Sequence, residues 1–128
     1  MRLALIDSDF LPYTVCYNKK DAPLKTFEEC CELGNNYVSS IFNLTQATHY
    51  IMSWTVGRNF RYTIYPEYKA NRVGREPLPF SKEVKQYLID KYHGVYHPDL
   101  ESDDIINIIK KDYINKVLAD SFEDLLLF

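Results

Sequence analysis

Three carboxylates, Glu101, Asp103 and Asp104, fall within four residues of the chain, and an apolar helical pattern begins directly behind them. Glu101 and Asp104 are three apart and share a helix face, so both can point at one place. Hard oxygen donors gathered in this way suit Mg²⁺ or Mn²⁺, which take carboxylates together with water. The same acids also suit a helix cap, where they complement the dipole and the free N–H groups of the first turn. A further carboxylate, Asp7, closes the short apolar run from Arg2 to Ile6. That run reads as a buried parallel strand, and residues at the carboxyl ends of such strands line the ligand crevice of open α/β sheets. Asp9 lies close by, and either acid would also serve as a cap for the element that follows.

A second informative stretch lies between residues 57 and 75. Arg58, Arg61, Lys69, Arg72 and Arg75 are interleaved there with Phe60, Tyr62, Tyr65 and Tyr68. Cations that pair with phosphate oxygens, beside rings that stack on bases, make a nucleic-acid surface. The composition also fits a solvated basic loop whose tyrosines pack inward.

These residues have to be positioned by regular elements. After the first strand, Phe10 to Tyr17 reads as a short helix containing Pro12, and Asn18 to Pro23 as a loop. Apolar positions from Lys25 to Leu44 recur at helical spacing, with Gly34 inside the pattern. His49 to Trp54 reads as a second strand. Glu76 to Phe80 reads as a linker, and Ser81 as the cap of a helix from Lys82 to Tyr92 that Gly94 terminates. Val95-Tyr96 gives a short third strand, Asp103 to Asp112 a helix, and Lys116 to Ala119 a fourth strand. The stretch from Asp120 to Phe128 reads as one or two helical turns. Strands alternating with helices predict an α/β fold with a parallel sheet covered on both faces.

At 128 residues, with 46% apolar and 26% charged positions, the chain is sized for one domain, residues 1–128, with a sizeable core. A net charge of −3 excludes nucleic-acid binding by bulk electrostatics and leaves room for a local basic patch. Cys16, Cys30 and Cys31 match no metal-ligand spacing and make an odd set, as expected for reduced thiols in a cytoplasmic protein. Neither a leader pattern nor a membrane-length apolar run is present, so no membrane partner is expected.

Taken together, the motifs resemble those of a known family. Phe60-Arg61 followed by Tyr65-Pro66-Glu67-Tyr68-Lys69-Ala70-Asn71-Arg72 resembles the Phe-Arg…Tyr-Lys-x-x-Arg signature of the 5′-nucleases. These include the 5′→3′ exonuclease domain of bacterial DNA polymerase I, phage 5′ exonucleases and flap endonucleases. Glu101-Ser102-Asp103-Asp104 resembles their Glu-Ala-Asp-Asp motif, and Leu5-Ile6-Asp7 their opening strand and first aspartate. The resemblance implies a PIN-like three-layer fold with a mainly parallel sheet of about four strands. It implies cleavage of DNA, or of an RNA–DNA hybrid, near a 5′ end or flap with one or two Mg²⁺ or Mn²⁺ ions. Asp7, Glu101, Asp103, Asp104 and Asp124 would then be metal carboxylates, and Lys69 would meet the scissile phosphate. Arg72 would join Lys69 at the DNA backbone, and Arg58, Arg61, Tyr68 and Arg75 of the basic-aromatic stretch are the other candidates for binding the nucleic acid.

Three positions depart from the family pattern. Trp54 stands where the second-strand aspartate is expected, Phe122 at the first aspartate of the later Asp-Lys-Asp motif, and Thr14 at an early arginine. The family's helix-hairpin element falls beyond residue 128. These departures allow fewer metals than the family norm. They also leave two other readings: an inactive relative that binds nucleic acid or a replication partner, or one half of a split nuclease that associates through its apolar segment Leu125 to Phe128.

Overall fold

The computed structural model of the chain describes residues 2–57, 78–114 and 124–127. Along these residues run β1 (Arg2–Asp7), α1 (Phe10–Cys16), α2 (Phe27–Thr45), β2 (His49–Ser53), α3 (Ser81–Tyr92), α4 (Ser102–Ile114) and β3 (Asp124–Leu127). The strands form one parallel sheet in the order β2-β1-β3. Its central strand is the apolar run at the start of the chain, and Leu3, Ala4, Leu5 and Ile6 are all buried. A parallel strand covered on both faces needs such a continuous apolar sequence.

Alternation along β1 divides its side chains between two helical layers. Ala4 and Ile6 join Met52 and Trp54 in a core completed by Leu11, Val15, Val38, Ile41, Val84 and Leu88 from α1, α2 and α3. Leu3, Leu5 and Asp7 therefore turn to the opposite face, where α4 packs on β1 and β2 and buries Ile105. The expected three-layer α/β arrangement is present. Cys16 and Cys30 belong to the first core. Burial, with Cys30 alongside, pushes the Cys16 thiol up to about 12, so it stays protonated and packs as a small apolar group.

The helices show why the periodic segments fold as they do. α2 begins with a reciprocal capping box: Glu29 N–H donates to Thr26 Oγ1 (3.2 Å), and Thr26 N–H donates to Glu29 Oε1 (3.3 Å). Pro12 does not break α1, because it lies in the first turn, where its missing N–H has no helical partner to lose. Gly34 is no weak point in α2. A Cβ there would come within 3.2 Å of Leu88 Cδ2, so the absent side chain lets α3 approach.

Four expectations need correction or narrowing. Ser81 is the first residue of α3 rather than its cap, which is Phe80 in the left-handed conformation (φ 66°) with no side-chain bond. Asp124–Leu127 is a strand, not a helical turn; a short leucine run fits either state, and the free edge of β1 decides it. Val95 makes only a parallel bridge to Ser53, its N–H donating to the Met52 carbonyl at 2.8 Å. The sheet accordingly has three strands among the described residues, and the expected strand Lys116 to Ala119 lies outside them.

Gly94 ends α3 as expected, but for a different reason. The left-handed residue at that end is His93 (φ 53°). At Gly94 a Cβ would lie 2.6 Å from both Cδ1 and Nε1 of Trp54, a fully buried ring. Overpacking of a rigid site costs about 1–3 kcal/mol. Gly94→Ala is therefore expected to lower the urea midpoint by a corresponding amount at unchanged slope, and an unaltered midpoint would show that the indole can move aside.

Candidate metal centre

The carboxyl ends of β1 and β2 and the N-terminus of α4 meet at one edge of the sheet. Asp7 and Ser53 are register partners there, so their side chains share the face on which α4 lies. Two serines join the layers. Ser53 and Ser102 are both fully buried, and their hydroxyl oxygens are 2.6 Å apart. The Ser102 hydroxyl donates to the Ser53 carbonyl at 3.0 Å, and Ser53 Oγ lies 3.2 Å from the Ile6 carbonyl. Ser8 N–H donates to the Ser53 carbonyl at 3.0 Å, which fixes the turn that follows Asp7.

Thr55 continues this seam. Its hydroxyl accepts the Ser102 N–H at 2.8 Å, so a free donor of the first turn of α4 is satisfied by a residue just beyond β2. Lys85 Nζ donates to the Thr55 carbonyl and ties α3 to the same corner. The start of α4 is thus clamped to the sheet edge through Ser102, and the acids on either side of that residue are placed with it.

Glu101, Asp103 and Asp104 each bring a carboxylate oxygen within 4.8 Å of the others. Glu101 is buried (7% exposed), Asp104 is intermediate and Asp103 is exposed. Asp104 also has the capping duty its position suggested, since its Oδ2 accepts the Glu101 N–H at 2.9 Å. The capping reading of the acidic motif is met, since one oxygen of Asp104 closes the helix start, and the three side chains also converge. Convergent hard donors, one of them buried, are a donor set that fits a small divalent cation.

Of the other predicted site residues, Asp7 stands on this edge and this face. Asp124 does not. Its backbone pairs with Arg2, at the opposite end of β1, and five residues of strand at about 3.3 Å each separate Arg2 from Asp7. The register thus places the backbone of Asp124 at the far end of β1 from the acidic cluster, because the leucine run aligns with Leu3 to Leu5 rather than with the strand end. Lys69, Arg58, Arg61, Tyr68, Arg72 and Arg75 lie outside the described residues, as does Phe122. Trp54 is not a plug in the cleft: alternation sends its ring to the α1–α2–α3 core, and its neighbours Ser53 and Thr55 face α4. Ser53, Thr55 and Ser102 were not singled out from sequence. For Ser53 and Thr55 the signal was the address already used for Asp7, a polar residue at the end of an apolar strand.

No protein-family model matches the sequence, and neither does any curated protein. Solved structures do match. The chain is similar to the flap endonuclease of bacteriophage T5 in a pseudo-enzyme–product complex with DNA and metal ions, with a TM-score of 0.68 and 18% identity over 99% of this chain. It is similar also to the T5 protein co-crystallised with metal ions (TM-score 0.63, 18% identity). A third match is the T5 5′-exonuclease with bound zinc ions (TM-score 0.61, 20% identity). The chain spans about half the length of these proteins, 48%, 47% and 48% respectively. The likeness is one of fold: the chain shares a parallel α/β arrangement with about half of each of these T5 proteins.

Removing the Ser53 hydroxyl takes away one partner of a buried polar group, a change that costs about 1–3 kcal/mol. Ser53→Ala is expected to lose stability in that range in urea unfolding; a neutral result would show that Ser102 is satisfied by the Ser53 carbonyl alone.

Proposed function

We propose that this chain is a divalent-metal-dependent 5′ nuclease, hydrolysing phosphodiester bonds of DNA, or of an RNA–DNA hybrid, near a 5′ end or flap. The observation that carries the reading is the convergence of Glu101, Asp103 and Asp104 within 4.8 Å, on the sheet edge and face that also hold Asp7. The likeness of fold to metal-bound T5 nucleases supports it. Glu101, Asp103, Asp104 and Asp7 would hold one or two Mg²⁺ or Mn²⁺ ions. When bound, such ions supply positive charge to the attacking and leaving oxygens of an in-line displacement. The chain's own part is to fix the carboxylates in advance: burial and the serine seam hold Glu101, and the β1 backbone holds Asp7. Lys69 would add charge at the scissile phosphate, and Arg58, Arg61, Tyr68, Arg72 and Arg75 would take the backbone and bases. The three cysteines are free and buried, in keeping with a cytoplasmic site of action. Among the described residues no helix is long and apolar enough to cross a membrane. The reading as an inactive relative loses one support, since Trp54 packs away from the carboxylates.

The test is cleavage of a 5′-labelled flap duplex with Mn²⁺ or Mg²⁺, beside an EDTA control and Asp103→Asn. Cutting that requires metal and drops at least about tenfold in the variant is expected, the order of loss when a metal site's ligand environment is damaged. A folded protein that binds the duplex but never cuts it would return the chain to a binding role.

Lys69→Ala is expected to weaken duplex binding for all sequences and to flatten the slope of log affinity against log salt by about one. A slope equal to that of the parent would assign the basic segment to a solvated loop.

A further inference from the structure

Asp9 stands at the N-cap position of α1, yet its side chain makes no capping bond. Instead both carboxylate oxygens reach across to the residue just beyond β2. Oδ1 accepts the Thr55 N–H at 2.8 Å, and Oδ2 accepts the Thr55 hydroxyl at 2.5 Å. The same Thr55 Oγ1 accepts the Ser102 N–H. Two hydrogen bonds in series therefore separate the Asp9 carboxylate from the amide that joins Glu101 to Ser102. Asp9 thus exchanges the cap of its own helix for two bonds that tie the β1–α1 turn to the end of β2. The group is exposed, and an ionised carboxylate accepts at about four positions, of which Thr55 takes two.

We infer that Asp9 is a further carboxylate of the cation site, and that Thr55 is the residue that positions it. The inference rests on the metal-dependent reading above. Thr55 has the donors to hold an acid and none of the charge to bind a cation itself, so the pair carries a carboxylate from the β1–α1 turn to the end of β2. Mg²⁺ and Mn²⁺ keep several waters, and the acceptor positions of Asp9 that Thr55 does not use could take hydrogen bonds from such waters.

The experiment is titration of the full chain with Mn²⁺ alone, followed calorimetrically, for the parent, Asp9→Asn, Thr55→Val, Thr55→Ser, Glu101→Gln and the distant control Asp90→Asn. Asp9→Asn is expected to weaken Mn²⁺ binding about tenfold, within the range that outer partners of metal sites contribute. Thr55→Val is expected to weaken it in the same direction, Thr55→Ser to restore it through the retained hydroxyl, and Asp90→Asn to match the parent. Urea midpoints measured on each variant separate loss of fold from loss of binding, and Asp9→Asn keeps an oxygen for the Thr55 donors. Parent-like affinity in Asp9→Asn, with affinity lost in Glu101→Gln, overturns this inference and leaves the nuclease reading standing. A parent that takes up no Mn²⁺ overturns both.

Discussion

The contact between the Ser53 and Ser102 hydroxyls governs the geometry of this fold's working edge. Both residues lie in the seam between the sheet and α4, out of reach of water. An unpaired hydroxyl there would be costly, so each finds its partner in the other or in an adjacent carbonyl. Satisfying one requires the other to be in place, and this converts a sliding helix–sheet contact into a fixed one. Leu3, Leu5 and Ile105 supply the apolar area for α4 to dock but little to choose its position along the strands. The serines choose it. Glu101 and Asp103 flank Ser102 in sequence, so the position of the acids follows from that of the hydroxyls.

The two faces of the sheet do different work. On one, apolar side chains from three helices close over Ala4, Ile6, Met52 and Trp54. On the other, α4 is the helix that packs among the described residues, and its first acids lie at the strand ends where β1 closes with Asp7. The division follows from the period of two along a strand: Ile6 and Asp7 are neighbours in sequence and belong to opposite layers. The same period at the end of β2 places Ser53 and Thr55 at the edge and buries Trp54 behind it.

Most of this architecture was legible in the amino-acid order, because apolar periodicity reports burial directly. The β1 run, the α2 pattern and the acidic start of α4 all lie where their periods put them. What escaped was decided by neighbours distant in sequence. The leucines of β3 carry no feature that separates strand from helix until the free edge of β1 is offered to them. Gly94 looks like a terminator and serves as clearance for an indole forty residues earlier in the chain. Asp9 has the sequence of a helix cap and is bonded instead to Thr55, a partner forty-six residues away that the sequence does not announce. A gapless match to the family motifs put Trp54 in the cleft, since matching by position ignores which way a residue points.

Trp54 has a consequence of another kind. It is the only tryptophan in the chain, it is fully buried, and its indole N–H has no hydrogen-bond partner among the described residues. A ring in such dry, apolar surroundings emits at shorter wavelength than one in water, so the protein carries an intrinsic optical label at a single known place. Thr55 follows it directly in the chain, and the label therefore sits on the far side of the strand end from the carboxylates. Light from one residue reports on the core and, through the shared backbone, on events at the edge in front of it.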